Sequence, residues 1–248
     1  MRKLTVGSLF AGIGGFDLGL ERAGFEVRWQ VEIDPFCQRV LAKHWPHVQR
    51  FGDVRECGAA NLEPVDVICG GFPCQDISFA GSGAGLSGER SGLWYEYARI
   101  IRELRPRFVL VENVSALLVR GLADVLGELA ALRFDAEWAC VSACAVGTPH
   151  VRQRVFIVAY ANSEHGRSGL RDSIAQAFRP LQGFDSFAGA RAGYRERLAD
   201  PSALYRNADG VPDRMERNRA IGNSVHPSVA EWIGRRILEA EERLGSDV

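Results

Sequence analysis

The stretch from Leu4 to Gly24 narrows the possible folds more than any other. Leu4-Thr5-Val6-Gly7-Ser8-Leu9-Phe10 is the short, largely apolar run of a buried strand. Ala11-Gly12-Ile13-Gly14-Gly15 follows at once, and then Phe16, Leu18, Leu20 and Ala23 mark a helix that Gly24 ends. A strand, a glycine turn and a helix in succession form the unit that holds a nucleotide-like cofactor, because the turn and the helix start expose backbone N–H groups. A second strand, Glu26 to Val31, ends at Glu32, which lies 20 residues beyond Gly12, where a carboxylate can reach ribose hydroxyls. The dinucleotide fingerprint G-x-G-x-x-G fails, however, because Asp17 stands at its third glycine. The pattern therefore favours an adenosine-containing cofactor other than a nicotinamide. Asp34-Pro35 opens a helix as N-cap and N1 residues, carrying Cys37, Val40 and Leu41 inward.

The same alternation continues. Val48 to Phe51 reads as a third strand, followed by Gly52-Asp53, a second acid at a strand end. Asp66-Val67-Ile68-Cys69 is a short buried strand that Gly70-Gly71 breaks, and Pro73 stiffens the backbone around Cys74. A thiol on a rigid turn at the end of a strand in an open α/β sheet sits where such folds place ligands. The next segment, Asp76 to Gly92, contains five glycines and has the composition of a lid. A helix over about Trp94 to Leu104 precedes the apolar strand Arg107 to Val111, which runs into Glu112-Asn113-Val114. A carboxylate there is costly unless it has a partner or a task. A helix spans about Arg120 to Leu132, and two strands, about Asp135 to Ser142 and Val155 to Tyr160, flank Gly147-Thr148-Pro149-His150-Val151-Arg152-Gln153-Arg154. From Ala161 to Asn218 the periodic pattern dissolves into Gly, Ser, Asp and Arg with isolated aromatics. Order returns at Gly222-Asn223-Ser224-Val225 and a final helix with Val229, Ile233, Ile237, Ala240 and Leu244 on one face. The expected organisation is a main domain over 1–160, a reduced second region over 161–218, and a C-terminal helical segment over 219–248 that packs back on the main domain.

With 46% apolar and 25% charged residues in 248, the chain has the composition of an ordinary globular protein, and no run of 18 apolar residues suggests a membrane span. Met1-Arg2-Lys3 leads directly into the first strand, too soon for a signal peptide, so a cytoplasmic protein is expected. Six cysteines without a C-x-x-C pair fit reduced thiols, and Cys140/Cys144 and His44/His47 each lack the second pair that a metal site needs, so no metal is expected. The net charge of −1 carries no message, but only Lys3 and Lys43 among 30 basic residues are lysines, and ten arginines fall between His165 and Arg219 against seven acids. Arginine clusters suit phosphate and base-edge contacts. A coding preference for arginine would raise it everywhere and is the competing explanation.

Phe10-Ala11-Gly12-Ile13-Gly14-Gly15, Glu32-Ile33-Asp34, Gly52-Asp53, Gly71-Phe72-Pro73-Cys74-Gln75, Glu112-Asn113-Val114, Arg152-x-Arg154 and Gly222-Asn223-Ser224-Val225 occur in this order across nearly the whole chain. Together they resemble the DNA (cytosine-5) methyltransferases, and Ala208-Asp209-Gly210-Val211-Pro212-Asp213-Arg214 looks like phage and prophage members. The resemblance implies a Rossmann-like S-adenosylmethionine-dependent methyltransferase fold with a small, reduced second region. It implies that Cys74 supplies a thiolate that adds to C6 of a flipped-out cytosine, so that C5 can take a methyl group. Glu112 would hold a proton toward the ring N3, and Arg154 with Arg152 would orient the base or the loop. Phe10, Gly12, Gly14, Glu32, Ile33, Asp53 and Asn223 would bind S-adenosyl-L-methionine, with Glu32 at the ribose and Asp53 near the adenine amine.

Each residue also has a plainer reading. Glu32 and Asp53 would serve as solvated strand-end acids, Asp34 as a helix cap, Arg152 and Arg154 as surface charges, Asn223 as a turn residue and Cys74 as a small buried hydrophobe. Two departures from the family stand out: His150 replaces the usual glutamine after the proline, and 161–218 is short for a target-recognition domain. Double-stranded DNA is the expected partner, acted on by a monomer in the context of restriction–modification, with any cognate restriction endonuclease separate. A transfer-RNA cytosine-5 methyltransferase and a catalytically weak DNA-binding relative remain the alternatives.

Overall fold

The computed structural model describes residues 2–73, 92–148, 152–161 and 214–246. Cys74, His150, most of the expected lid and positions 162–213 of the patternless stretch lie outside the described residues. The described part is built on a seven-stranded sheet: β1 (Thr5–Leu9), β2 (Glu26–Val31), β3 (Gln49–Phe51), β4 (Val67–Gly70), β5 (Phe108–Asn113), β6 (Phe134–Ser142) and β7 (Gln153–Ala161). Their spatial order is β3-β2-β1-β4-β5-β7-β6. The first five are parallel to one another, and β7 runs antiparallel to both its neighbours. The chain moves outward from β1 through β2 to β3, then returns to place β4 on the other side of β1. The reversal point between β1 and β4 is where an open α/β sheet leaves a crevice at its carboxyl edge. Leu9 and Gly70 are register partners, so the turns that follow β1 and β4 leave the sheet side by side.

Helices cover both faces, which is why β4 and the first four residues of β5, Phe108 to Val111, are apolar in succession rather than alternating. On one face α3 (Leu93–Leu104) and α5 (Leu122–Ala131) pack Trp94, Tyr97, Ile100, Ile101, Val125 and Leu129 against Leu9, Ile68, Val109 and Val111. On the other, α1 (Gly15–Ala23) and α7 (Pro227–Ser246) bury Phe16, Leu20, Val229, Ile233 and Ile237 against Val6, Val67, Phe108 and Leu110. Between them in sequence come α2 (Pro35–His44), a single turn α4 (Leu117–Arg120) and α6 (Arg214–Asn223). Asp34 caps α2 as expected, accepting from the N–H groups of Phe36 and Cys37 at 2.8 and 3.3 Å. The single helix expected over Arg120 to Leu132 is divided instead: α4 ends and α5 begins at Gly121, whose extended φ of 163° breaks the helical path so that Leu117 and Leu122 are both buried. Helix α6 starts at Arg214, inside the stretch whose sequence lacks periodicity.

Asp17 shows why the fingerprint glycine is replaced. It is fully buried in the first turn of α1, where it accepts from Gln30 Nε2 at 2.8 Å and from Ser8 Oγ at 3.2 Å. Where a glycine would let the helix approach the strands closely, a carboxyl group bonds it to β1 and β2. Burial pushes this carboxyl up to about 6.

Helix α1 meets α7 through small residues. A Cβ added to Gly19 would lie 2.3 Å from the Pro227 carbonyl oxygen and 2.5 Å from Ala230 Cβ. Arg107 and Glu241 form an ion pair that ties the far half of α7 to the β5 start. Gly19→Ala is therefore expected to destabilise the protein by about 1–3 kcal/mol through overpacking, although alanine gains about 1 kcal/mol in helix propensity. Gly127→Ala in α5, where an added Cβ meets nothing within 4 Å, serves as the contrast and should stabilise by up to about 1 kcal/mol. Denaturant melts of both variants check this, and similar signs for the two would contradict the close α1–α7 contact.

Candidate active site

The glycine turn after β1 forms one rim of the crevice. Phe10, Gly12 and Gly14 all have positive φ, at 51°, 56° and 84°. For a phenylalanine this is a strained conformation costing on the order of 1–3 kcal/mol, and such strain concentrates at functional sites. An added Cβ at Gly14 would strike the Trp45 ring at 2.4 Å, whereas one at Gly12 would meet nothing within 4 Å and faces open space. Glu32 holds the turn in place. Its Oε2 accepts from Gly12 N at 2.7 Å and its Oε1 from Asp34 N at 2.8 Å, so one carboxylate joins the turn to the start of α2. Burial raises the Glu32 carboxyl above its ordinary value, with the backbone N–H bonds opposing that shift. Each oxygen retains a lone pair for a ligand hydroxyl.

Ile33 is 64% exposed, an unpacked apolar side chain directly beyond β2. Asp53 caps the short 3-10 turn Val54–Glu56 by accepting from Arg55 N at 3.0 Å, and it also pairs with the Arg55 guanidinium. That bonding to Arg55 holds the Asp53 carboxyl below the usual range. A groove of about 490 Å³ between α2 and the β3 end, lined in part by Pro35, Gln38, Phe51 and Gly52, opens beside Asp53. Asn223 is exposed at the end of α6. The residues after it press on the turn: a Cβ on Gly15 would lie 2.2 Å from Val225 O and 2.7 Å from Ser224 Oγ. Arg219 of α6 reaches to 3.8 Å from Asp34 Oδ2.

The second rim is built by β4, β5 and β7. Both glycines of the turn after β4 have a steric reason. A Cβ on Gly70 would come 2.3 Å from Leu9 O, and one on Gly71 would come 2.7 Å from Glu112 Oε2. Asn113 Nδ2 donates to Phe72 O at 3.1 Å, and its Oδ1 accepts from Val114 N at 2.9 Å, so the end of β5 fixes the Phe72-Pro73 backbone that leads to Cys74. Glu112 is buried, and its Oε1 lies 3.2 Å from Arg154 Nε as an ion pair without an aligned hydrogen bond. Burial pushes the Glu112 carboxyl up to about 7, against the attraction of Arg154 and Arg152. Arg154 also donates to Gln153 O, and Arg152 Nη1 donates to Gly222 O at 2.7 Å.

The structure thus gathers Phe10, Gly12, Gly14, Glu32, Ile33 and the Asn223 segment on one side, and Glu112 with Arg154 on the other. Arg152 reaches across from the β7 side to α6. Asp53 is drawn into a local pair with Arg55. Asn113, inside the Glu112-Asn113-Val114 motif, fixes the Phe72 turn, a role that no local sequence signal assigns to it. The five described cysteines are all free. Three are buried, with thiols pushed up by burial to about 12 at Cys37 and about 11 at Cys57, and well above the ordinary value at Cys69. Among the described residues no group of three or more His, Cys, Asp or Glu side chains could hold a metal ion, and no helix is long and apolar enough to cross a membrane.

Residues 4–186 match the family model for C-5 cytosine-specific DNA methylases. The chain is similar to the type II methyltransferase M2.BsuMI of Bacillus subtilis, at 35% identity over 95% of this chain and 76% of that protein. It is similar to M.FnuDI of Fusobacterium nucleatum at 35% identity over 67% of this chain, and to M.Sau3AI of Staphylococcus aureus at 33% over 91%. It spans about half the length of these two, 54% and 55%. Among solved structures, the fold is similar to that of a DNA modification methyltransferase encoded within an E. coli prophage, with a TM-score of 0.66 and 21% identity over 97% of this chain and 100% of that one.

The burial of Glu112 has a measurable consequence. Below pH 4.5 the group is protonated whether folded or unfolded. Between 4.5 and about 7 only the unfolded chain releases its proton, so this group's contribution to stability is lost as pH rises through that window. A shift of this size corresponds to about 3 kcal/mol. Glu112→Gln, which cannot titrate, should gain up to about 3 kcal/mol on the parent between pH 4.5 and pH 8 in denaturant melts. A stability difference independent of pH would contradict a raised Glu112.

Proposed function

The chain belongs to the C-5 cytosine-specific DNA methylase family, and from that premise we propose that it transfers a methyl group from S-adenosyl-L-methionine to C5 of a cytosine flipped out of double-stranded DNA. The observation that carries this reading is Glu112: a carboxyl buried at the end of β5, beside Gly71 and Arg154, and raised to about 7. Such a group holds a proton near neutrality, as protonation of ring N3 during thiolate addition requires.

S-adenosylmethionine fits the first rim. The Gly12 position opens onto free space, Glu32 keeps acceptor capacity for a ribose, and Ile33 offers an uncovered apolar surface for an adenine. Asp53 would reach the adenine amine only by sharing its carboxylate with the exposed Arg55. When bound, the cofactor supplies an electrophilic methyl group. Asn223 would close this side, held through Arg152 and Gly222 O.

The chain's own residues carry the remaining work. Cys74 adds its thiolate to C6, Glu112 donates toward N3, and the electron density gained at C5 lets that carbon take the methyl group. A water base then takes the C5 proton as the C6–sulfur bond breaks to release the thiolate, and N3 returns its proton to Glu112, which restores the aromatic ring and the enzyme. Arg154 keeps Glu112 in place and balances its charge once the proton has moved. The raised thiols at Cys37, Cys57 and Cys69 leave these residues unsuited to the nucleophile's role. The arginines between His165 and Arg219 are the candidate phosphate contacts. The protein acts as a cytoplasmic monomer, and any cognate endonuclease is a separate protein.

Incubation with methyl-labelled cofactor and either duplex DNA or transfer RNA tests the reading. Label is expected on DNA at C5 of cytosine, and Cys74→Ser should reduce it to background while cofactor affinity persists. Label confined to transfer RNA, or Cys74→Ser activity equal to the parent, would overturn it.

A further inference from the structure

Four rings run from the glycine turn to the Phe72-Pro73 turn. Phe10 lies 6.3 Å from Tyr97, Tyr97 lies 5.5 Å from Trp94, and Trp94 lies 5.4 Å from Phe72, centroid to centroid. Trp94 and Tyr97 are fully buried, and their spacing of three residues places them on one face of α3. The outer two rings belong to different turns. Phe10 directly follows Leu9 of β1, and Phe72 follows Gly70-Gly71 at the end of β4. Leu9 and Gly70 are register partners, so the ladder between β1 and β4 holds the two turns at equal height only up to that point. Beyond it, the ring column runs from one turn to the other.

The column is itself anchored to the sheet. Tyr97 Oη donates to Leu110 O at 3.0 Å, and a Cβ on Gly70 would come within 3.1 Å of Tyr97 Cε2, so the ring lies directly against the start of the nucleophile turn. Among the described residues, Trp94 Nε1 is buried without an acceptor. A buried unpaired donor is unfavourable. What the described residues give the indole is its ring contacts with Phe72 and Tyr97.

We propose that Trp94 and Tyr97 are positioning residues that set the distance between the cofactor turn and the nucleophile turn. The proposal rests on the reading above, in which the Phe10–Gly15 turn and Cys74 serve one reaction. Neither ring touches the reacting atoms; they act through Phe10 and Phe72.

Two reactions of the same protein separate this role from ordinary core packing. Without cofactor, thiolate addition at C6 lets C5 take a deuteron from heavy water. Loss of the original C5 proton and of the thiolate then restores cytosine with deuterium at C5. This exchange needs the nucleophile turn and the base alone, whereas methyl transfer needs both turns at the correct spacing. The ratio of transfer rate to exchange rate cancels the fraction of correctly folded protein.

Trp94→Leu, which shortens the column, should lower kcat for methyl transfer by about 10- to 100-fold, the scale on which small misplacements act. Exchange and cofactor Kd should stay within about threefold of the parent, since neither depends on the spacing. Trp94→Phe and Tyr97→Phe keep a ring and should keep the ratio within about threefold. If Trp94→Leu does not fold, Trp94→Met carries the same test. A transfer-to-exchange ratio unchanged by loss of the ring would overturn the proposal while leaving the functional reading intact. A parent protein that neither exchanges nor methylates would overturn both.

Discussion

A carboxyl group at the end of a strand covered on both faces is the constraint from which the site follows. Glu112 cannot ionise there without a partner, since transfer of a lone carboxylate into such surroundings costs several kcal/mol. Three features accommodate it. Gly71 leaves out the side chain that would collide with it, Arg154 brings a guanidinium to 3.2 Å, and the group keeps its proton to about pH 7. The direction of β7 makes the second feature possible. Parallel strands bring their carboxyl ends to the crevice, but β7 is reversed and so brings its beginning, with Arg152 and Arg154, to the same edge. Glu112 pairs with Phe156, and side chains two residues apart on a strand share a face, so Arg154 is its diagonal neighbour.

The two rims are joined by few, specific contacts. Glu32 uses both carboxylate oxygens to hold the glycine turn and the head of α2 together. Arg152 leaves the β7 rim to bond the carbonyl just before Asn223, and the following residues lie tight against Gly15. Helix α7 then docks on α1 where glycines permit close approach. Packing at the back of the molecule thereby fixes the position of Asn223 at the front.

Local signals in the sequence account for much of this. The β1 strand, its glycine turn, α1 stopped by Gly24, and the Asp34-Pro35 start of α2 all stand where propensity and capping place them, because each depends on neighbours within a few residues. The seven motifs identified the family, and the structure brings most of their described residues to one edge. Long-range relations were not legible. Nothing local fixes the direction of β7 or the reach of Arg152 to Gly222 O. Asp17 looked like a broken fingerprint, and its bonds to Ser8 and Gln30 depend on the packing of α1 over two strands. The sequence marks a helix over about Trp94 to Leu104 but not what its buried rings, Trp94 and Tyr97, touch.

The proposed chemistry is covalent catalysis by the cysteine that follows the Gly70–Pro73 turn, with Glu112 supplying the proton. A duplex carrying 5-fluorocytosine at target sites tests it most directly. The fluorine at C5 cannot leave as a cation, so once C5 has taken the methyl group the thiolate cannot be released and the adduct persists. Fragmentation of the digested complex by mass spectrometry should place the modified nucleotide on Cys74 itself. An adduct on Cys69 or Cys144, or methyl transfer to unmodified DNA with no adduct on the fluorinated duplex, would contradict it.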